Sequence, residues 1–283
     1  MSSRNELDLT DEDQTVLACW RQLIEHHYFS DIKHLSQYTE DVFGLEVEHA
    51  HVCEDDDLRA MFHERPLHCL MLGNMVLNEQ FGNAGVQMRG TLRVVRLSEQ
   101  YRTSVDELRM RNRNTIVTVD VKVASMSDPY GWLKLAKYRC RDCGDEVEIK
   151  QRRARERESP RFCRSCFEKS RQSDSEEDHR LFAMMYTANF AMVMEECYYE
   201  DAQTLVVRQV SHDGQGHVIH ASGASTHMAV VSDELVGAMD ASTYYRLNGL
   251  VKVEPLPDRN FVKDTRRMLI VDVFSAEPLG LED

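Results

Sequence analysis

Tyr138-Arg139-Cys140-Arg141-Asp142-Cys143-Gly144-Asp145-Glu146-Val147-Glu148-Ile149-Lys150 and, after nineteen residues counted from Cys143, Cys163-Arg164-Ser165-Cys166 form the stretch around which the rest of the chain is read. Each C-x2-C pair can bend into a knuckle that points two thiolates at one ion, and Gly144 relieves the backbone at the first bend. The second knuckle, ending in Cys166-Phe167, has no such glycine. Glu146 to Lys150 alternates like a strand and gives way to the charged loop Gln151 to Glu158, as in a zinc ribbon. Cys140, Cys143, Cys163 and Cys166 therefore predict one tetrahedral Zn2+. Four sulfur ligands leave no position open for water or substrate, so the site reads as structural. The competing reading is two disulfides or four buried thiols.

Working outward, composition limits the surroundings of that ribbon. The first thirty residues are acidic and polar with no apolar signal region, and nowhere do eighteen apolar residues run together, which argues against secretion and membrane spanning. Cys19, Cys53, Cys69 and Cys197 are scattered singly and read as small core residues. The 283 residues, 42% apolar, can bury one large core or two to three small ones. The net charge of −14 argues against nucleic acid, yet the average hides two basic segments. From Lys150 to Arg171 nine basic residues face three acidic ones, and a second group holds Arg259, Lys263, Arg266 and Arg267. The first group also reads as a solvated ribbon loop. An excess of Arg over Lys fits a salt-rich cytoplasm and a GC-rich genome equally well.

The character of the chain changes near Gln80. Before it, Val16, Leu17, Trp20, Leu23, Ile24 and Tyr28 recur at helical steps behind the capping candidates Thr10 and Asp11. A second stripe runs Leu58, Met61, Phe62, breaks at Pro66 and resumes with Leu67, Leu70, Met71 and Met75. Leu45-Glu46-Val47 between them reads as a short strand. After Gly85 the period becomes two: Val117, Val119, Val121 and Val123 alternate with polar residues. Asp128-Pro129-Tyr130-Gly131 has the residues of a type I turn. Trp132 to Tyr138 follows as the next strand and runs into Cys140, which makes the ribbon an insertion between strands. Phe182 to Tyr199 is ambiguous between helix and strand. Thr204 to Val210, Met228 to Val231, Tyr245 to Val253 and Met268 to Phe274 read as strands, and Ser232 to Met239 as a short helix. The expectation is an α+β chain: a helical N-terminal subdomain over 1–82, then an OB-fold β-barrel over 83–283 with the zinc ribbon inserted at about 138–172.

That order of parts resembles a family. The strand Ile116 to Val123, the strand entering Tyr138-x-Cys140-x-x-Cys143-Gly144-x-Glu146-Val147, the second Cys pair, Gln203-Thr204-Leu205, Asp233-Glu234-Leu235-Val236 and Tyr245-Arg246-Leu247-Asn248-Gly249 resemble the N-terminal domain of the minichromosome maintenance (MCM) replicative helicases, from about Val16 to Phe274. The family carries an AAA+ ATPase after this domain. No G-x-x-x-x-G-K-[ST] occurs in the present sequence, so no ATPase chemistry is expected of it.

The resemblance implies a basic β-hairpin late in the barrel, with Arg259, Lys263, Arg266 and Arg267 neutralising phosphates of single- or double-stranded DNA without reading sequence. The family's arginines in the first barrel loop have no counterpart between Ser125 and Trp132. Tyr130 and Trp132 are alternative base-stacking groups, each worth roughly 1–3 kcal/mol if they stack, or else a turn tyrosine and a core tryptophan. His212, His217, His220 and His227 lie together in a Gly- and Ser-rich loop, read as solvated or as a second metal site. Three functions follow as expectations: a non-enzymatic DNA-binding protein of replication or repair that assembles with itself or with MCM-type ATPase subunits, an adaptor of the MCM ring without DNA binding, or the DNA-binding half of a split helicase. Each implies an intracellular protein, in the cytoplasm or nucleoid if archaeal and in the nucleus if eukaryotic.

Overall fold

The computed structural model describes residues 9–34, 42–85, 89–151, 157–170, 189–212, 218–219, 225–256 and 265–279. In chain order the helices are α1 (Asp11–Leu23), α2 (Phe29–His34), α3 (His49–Val52), α4 (Asp56–Glu64), α5 (Pro66–Asn83) and α6 (Arg164–Ser170). The strands are β1 (Val42–Glu48), β2 (Arg89–Val95), β3 (Ile116–Met126), β4 (Tyr130–Cys140), β5 (Glu146–Lys150), β6 (Phe190–Met192), β7 (Tyr198–Gln209), β8 (Ser211–His212), β9 (Val218–Ile219), β10 (His227–Ser232), β11 (Tyr244–Pro255) and β12 (Arg267–Pro278). They group into two compact units. Met1–Pro129, Gln203–Val253 and Leu269–Asp283 form the first, and Tyr130–Ala202 with Glu254–Met268 form the second.

The first unit begins at a capping box. Thr10 Oγ1 accepts from the Asp13 amide at 3.2 Å, while the Thr10 amide donates to Asp13 Oδ2 at 3.0 Å. Trp20, Ile24, Tyr28 and Ile32 are all buried and follow one another in steps of four, longer than the 3.6 residues of an α-helical turn. A π-helical turn at Ile24–Tyr28 joins α1 to α2 and takes up that difference. Pro66 opens α5 at its first position, where the missing N–H costs nothing. The buried face of α5 differs from the expected stripe: Cys69, Leu70, Leu72, Gly73, Val76, Leu77 and Phe81 are inside, whereas Leu67 and Met75 are exposed. Gly73 sets that face, because a Cβ there would come within 2.3 Å of Leu92 Cδ1 and 2.8 Å of Trp20 Cε2. The short strand expected at Leu45-Glu46-Val47 is present within β1. β1 and β2 pair in parallel, Leu45 opposite Leu92 and Val47 opposite Val94, and α5 caps the free edge by accepting the Leu92 amide at Asn74 Oδ1 and the Gly90 amide at Asn78 Oδ1.

The barrel closes within the same unit. β10, β12, β11, β3 and β7 are neighbours in that order, and β10 also pairs with β7, completing a ring of five strands. β11–β3 and β3–β7 are antiparallel while β10–β12 is parallel, the five-stranded Greek-key arrangement of an OB-fold. Val117, Val119, Val121 and Val123 are buried with Leu205, Val207, Leu247, Val251, Val271 and Val273 in one apolar cluster. A separate cluster holds the helices, β1 and β2.

Two expectations are corrected. Tyr130 and Gly131 do not form a turn that folds β4 back on β3. They already lie in β4, opposite Ala202 and Asp201 of β7. Ser232 to Met239 is not an α-helix either: only Asp233–Leu235 turns, as one 3-10 step, with Asp233 at φ +59° and Gly237 at φ +75°. Two arginines from β2 hold that conformation. Arg89 pairs with Asp233, and the buried Arg93 grips Glu234 with two bonds of 2.5 and 2.7 Å while also donating to the carbonyls of Ser232 and Phe274. The ambiguous stretch ending at Tyr199 is β6, a 3-10 turn at Met194–Glu196 and the start of β7 over its described part.

Candidate metal centre and nucleic-acid interface

The second unit is built on β4, which carries the chain directly into Cys140. β5 returns beside it with Tyr138 opposite Val147 and Arg139 opposite Glu146, so the expected strand over Glu146 to Lys150 is present. Between them the first knuckle is closed by backbone bonds. The Cys140 amide donates to Asp145 O at 2.8 Å and the Gly144 amide to Cys140 O at 3.0 Å, with Gly144 at φ +76°. The second pair solves the same problem without glycine, because Cys163 and Cys166 flank the first turn of α6 and helical geometry supplies the bend. Ser165 Oγ donates to Asp145 Oδ2 at 2.7 Å and ties one knuckle to the other. Farther out, the buried Gln151 side-chain amide donates to Glu158 O at 2.9 Å and accepts the Glu158 amide at 2.7 Å.

The sulfurs converge. Cys140 Sγ lies 3.8 Å from Cys166 Sγ and Cys143 Sγ 3.5 Å from Cys163 Sγ, and all four lie within 4.8 Å of one another. A tetrahedral ion with sulfur at about 2.3 Å sets its ligands about 3.8 Å apart, whereas a disulfide needs about 2.05 Å. All four thiols are free, which removes the disulfide reading. Burial pushes the Cys166 and Cys163 thiols up, whereas at Cys140 the burial effect is outweighed by the Asp142 and Cys143 amides, which pull that thiol down. Sulfurs this close cannot all ionise without a counter-charge, and a divalent cation supplies one. The donor set, spacing and closed coordination fit a structural Zn2+ held by Cys140, Cys143, Cys163 and Cys166.

The basic residues are less fully placed. β11 and β12 are neighbours in the sheet, and the Leu256 amide donates to Arg266 O at the base of their connection. Arg266 and Arg267 are exposed there, at the start of β12, and Arg259 and Lys263 lie outside the described residues. Trp132 is buried with Lys134 Nζ 3.8 Å from its ring centroid, so it is a packed residue rather than a base-stacking one, while Tyr130 is exposed. The histidines of the late loop do not gather. His212 faces Asp120 at 3.2 Å and His227 faces Asp106 at 2.9 Å, and His217 and His220 lie outside the described residues. The convergent imidazoles are elsewhere, at His27 and His51 beside Glu54. Twenty-three residues lie between the two histidines, and only the His51-x-x-Glu54 spacing hints at a shared face.

These elements define a class: a helical region and a closed five-stranded barrel in one unit, with a four-cysteine ribbon inserted between its first two strands. No protein-family model matches the sequence. No curated protein matches it either. Among solved structures the fold matches a crystal structure of the N-terminal domain of an archaeal MCM with a TM-score of 0.69 at 15% identity, covering 95% of this chain and 100% of that one. The fold is that of an MCM N-terminal domain. Among the described residues no helix is long and apolar enough to cross a membrane.

Proposed function

We propose that the protein is a non-catalytic MCM-like module of DNA replication or repair, which binds DNA without sequence preference and assembles with itself or with MCM-type ATPase subunits inside the cell. The observation that carries this reading is the fold match, which extends over the whole of an MCM N-terminal domain rather than over the barrel alone. Arg259, Lys263, Arg266 and Arg267 are the proposed phosphate-binding group, and the ribbon, held by Zn2+, is the proposed element for contacts between subunits. A split helicase whose ATPase is a separate chain would use the same surfaces. The adaptor reading, with no DNA binding, is favoured by the net charge of −14 and by the lack of arginine between Ser125 and Trp132.

Fluorescence anisotropy of the zinc-loaded protein with a labelled single-stranded oligonucleotide, titrated across salt concentrations, separates the two. Each phosphate neutralised on a single strand contributes about 0.7 to the slope of log affinity against log salt. Arg266→Ala with Arg267→Ala is expected to weaken binding and lower that slope by about 1.4. Absence of binding at low salt leaves the adaptor reading standing.

A further inference from the structure

We propose that His27, His51 and Glu54 form a second divalent-metal site, of imidazole–carboxylate type and suited to Zn2+, Co2+ or Ni2+, separate from the cysteine ribbon and independent of the DNA-binding reading. One ligand atom of each residue lies within 4.8 Å of the others. His27 Nε2 stands 3.1 Å from Glu54 Oε2, close to the separation of about 3.3 Å between two ligands on one tetrahedral zinc.

The backbone explains why three residues so far apart in sequence meet. The π-helical turn that keeps Tyr28 inside also brings His27 out at the rim of the helical layer. His51 sits in the one-turn helix α3, and Glu54 follows its end. Turns of this kind recur at functional sites because they re-aim side chains without ending the helix. An outer partner is already in place. Tyr28 Oη accepts the Glu48 amide at 2.8 Å and lies 2.7 Å from His51 Nδ1. With the Nδ1 proton donated to that oxygen, His51 Nε2 keeps its lone pair, the arrangement by which protein metal sites fix a ligating imidazole.

The rings of His27 and His51 are stacked, with centroids 3.9 Å apart and planes at 10°. Lone pairs of parallel rings do not converge, so ligation turns the His27 imidazole about χ2 while Tyr28 keeps that of His51 in place. A cavity of about 240 Å³, lined also by Gln22, His26 and Asp55, gives the turning ring room. Cys19 lines the same cavity but is not among the residues whose ligand atoms gather within 4.8 Å. Three protein ligands and a water complete the coordination. Imidazole with carboxylate selects borderline divalent ions over Mg2+ or Ca2+.

The test titrates Co2+ and then Zn2+ into the full chain whose ribbon is already zinc-loaded, followed by calorimetry and visible absorption. The expected result is one further equivalent, with cobalt ligand-field bands, no sulfur charge-transfer band and a raised melting temperature. His27→Ala with His51→Ala abolishes that equivalent. Tyr28→Phe weakens it by about 10- to 100-fold. Glu54→Gln, at an exposed side chain whose replacement spares the fold, weakens it as well. Three results overturn the proposal: no second equivalent, an equivalent that survives the double histidine variant, or a sulfur charge-transfer band accompanying it.

Discussion

The two units are stabilised by different means. In the first, buried hydrophobic side chains run from Val16 to Phe274 in two clusters, and even its buried charges are matched within the unit. In the second, the buried hydrophobic residues among those described are Trp132, Ala136, Tyr138, Ala202 and three of the four cysteines. Buried aromatic and aliphatic side chains are the ordinary source of stability in the former, whereas exposed pairs such as Arg139–Glu146 and Arg164–Glu168 add little to the latter. A polypeptide segment with so small a core needs a cross-link, and the convergent thiols provide a place for one. The first unit should therefore hold itself by burial, and the second by metal.

The largest expected effect follows from that difference. Removing the metal by chelation, or one ligand by Cys140→Ser, should unfold the ribbon, since structural zinc contributes about 10–16 kcal/mol to small domains near neutral pH. Hydrogen exchange reads the outcome by segment. Amides of β4 and β5 are expected to lose protection while those of α1 and β3 keep it. Loss of protection in both sets at once would mean that the first unit is not self-supporting, and the comparison would be broken.

A smaller effect, confined to the first unit, concerns Arg93. Its guanidinium is buried, and Glu234 holds it bidentately. Glu234→Ala leaves that charge inside with the Ser232 and Phe274 carbonyls as acceptors, and because Glu234 is itself a quarter exposed the cost is expected toward the lower end of the roughly 3–5 kcal/mol of breaking a buried pair. The urea midpoint should fall while zinc content stays constant. A cost well under 1 kcal/mol would mean that water reaches Arg93 and that the pair only orients the Asp233–Leu235 turn.

How much of this could be read from the sequence depended on whether the signal was local. The ribbon was legible because a metal fixes its ligand spacing within a few residues, and α1 because Thr10 and a regular stripe mark its start and face. The buried face of α5 was not. Leu67, Leu70, Met71, Leu72, Met75, Val76 and Leu77 cover more than one side of that helix, so periodicity cannot choose, and the close approach at Gly73 does. Ser232 to Met239 carries helix-capping residues, yet Arg89 and Arg93, some 140 positions earlier, capture its acids. His212 and His227 are near in sequence and face separate carboxylates, whereas His27 and His51 are distant and stack. The phosphate-binding role proposed for Arg266 and Arg267 rests on resemblance alone, because exposure by itself names no ligand.

Acid provides the finest test of the difference between the units, because protons attack each at a different place. In the ribbon, thiolate ligands take up protons as pH falls and metal affinity declines with them. In the first unit the sensitive group is Asp13, which is buried at the start of α1 and faces His68 Nε2 at 2.5 Å. The hydrogen bond to His68, and then the one from the Thr10 amide, hold its carboxyl at about 2 against an ordinary 3.8. A folded-state value below the unfolded one means that Asp13 stabilises the native state above about pH 4 and that this contribution drains away as pH falls toward 2. Asp13→Asn keeps an acceptor for the Thr10 amide but loses the charge, and a cost of about 1 kcal/mol at pH 6 is expected for weakening such a cap. Melting followed from pH 6 to pH 2 should show the wild-type and variant curves converging over the last two units. A gap that stays constant with pH would mean that Asp13 acts through shape and hydrogen bonding alone, leaving burial as the dominant support of the first unit even at its charged end.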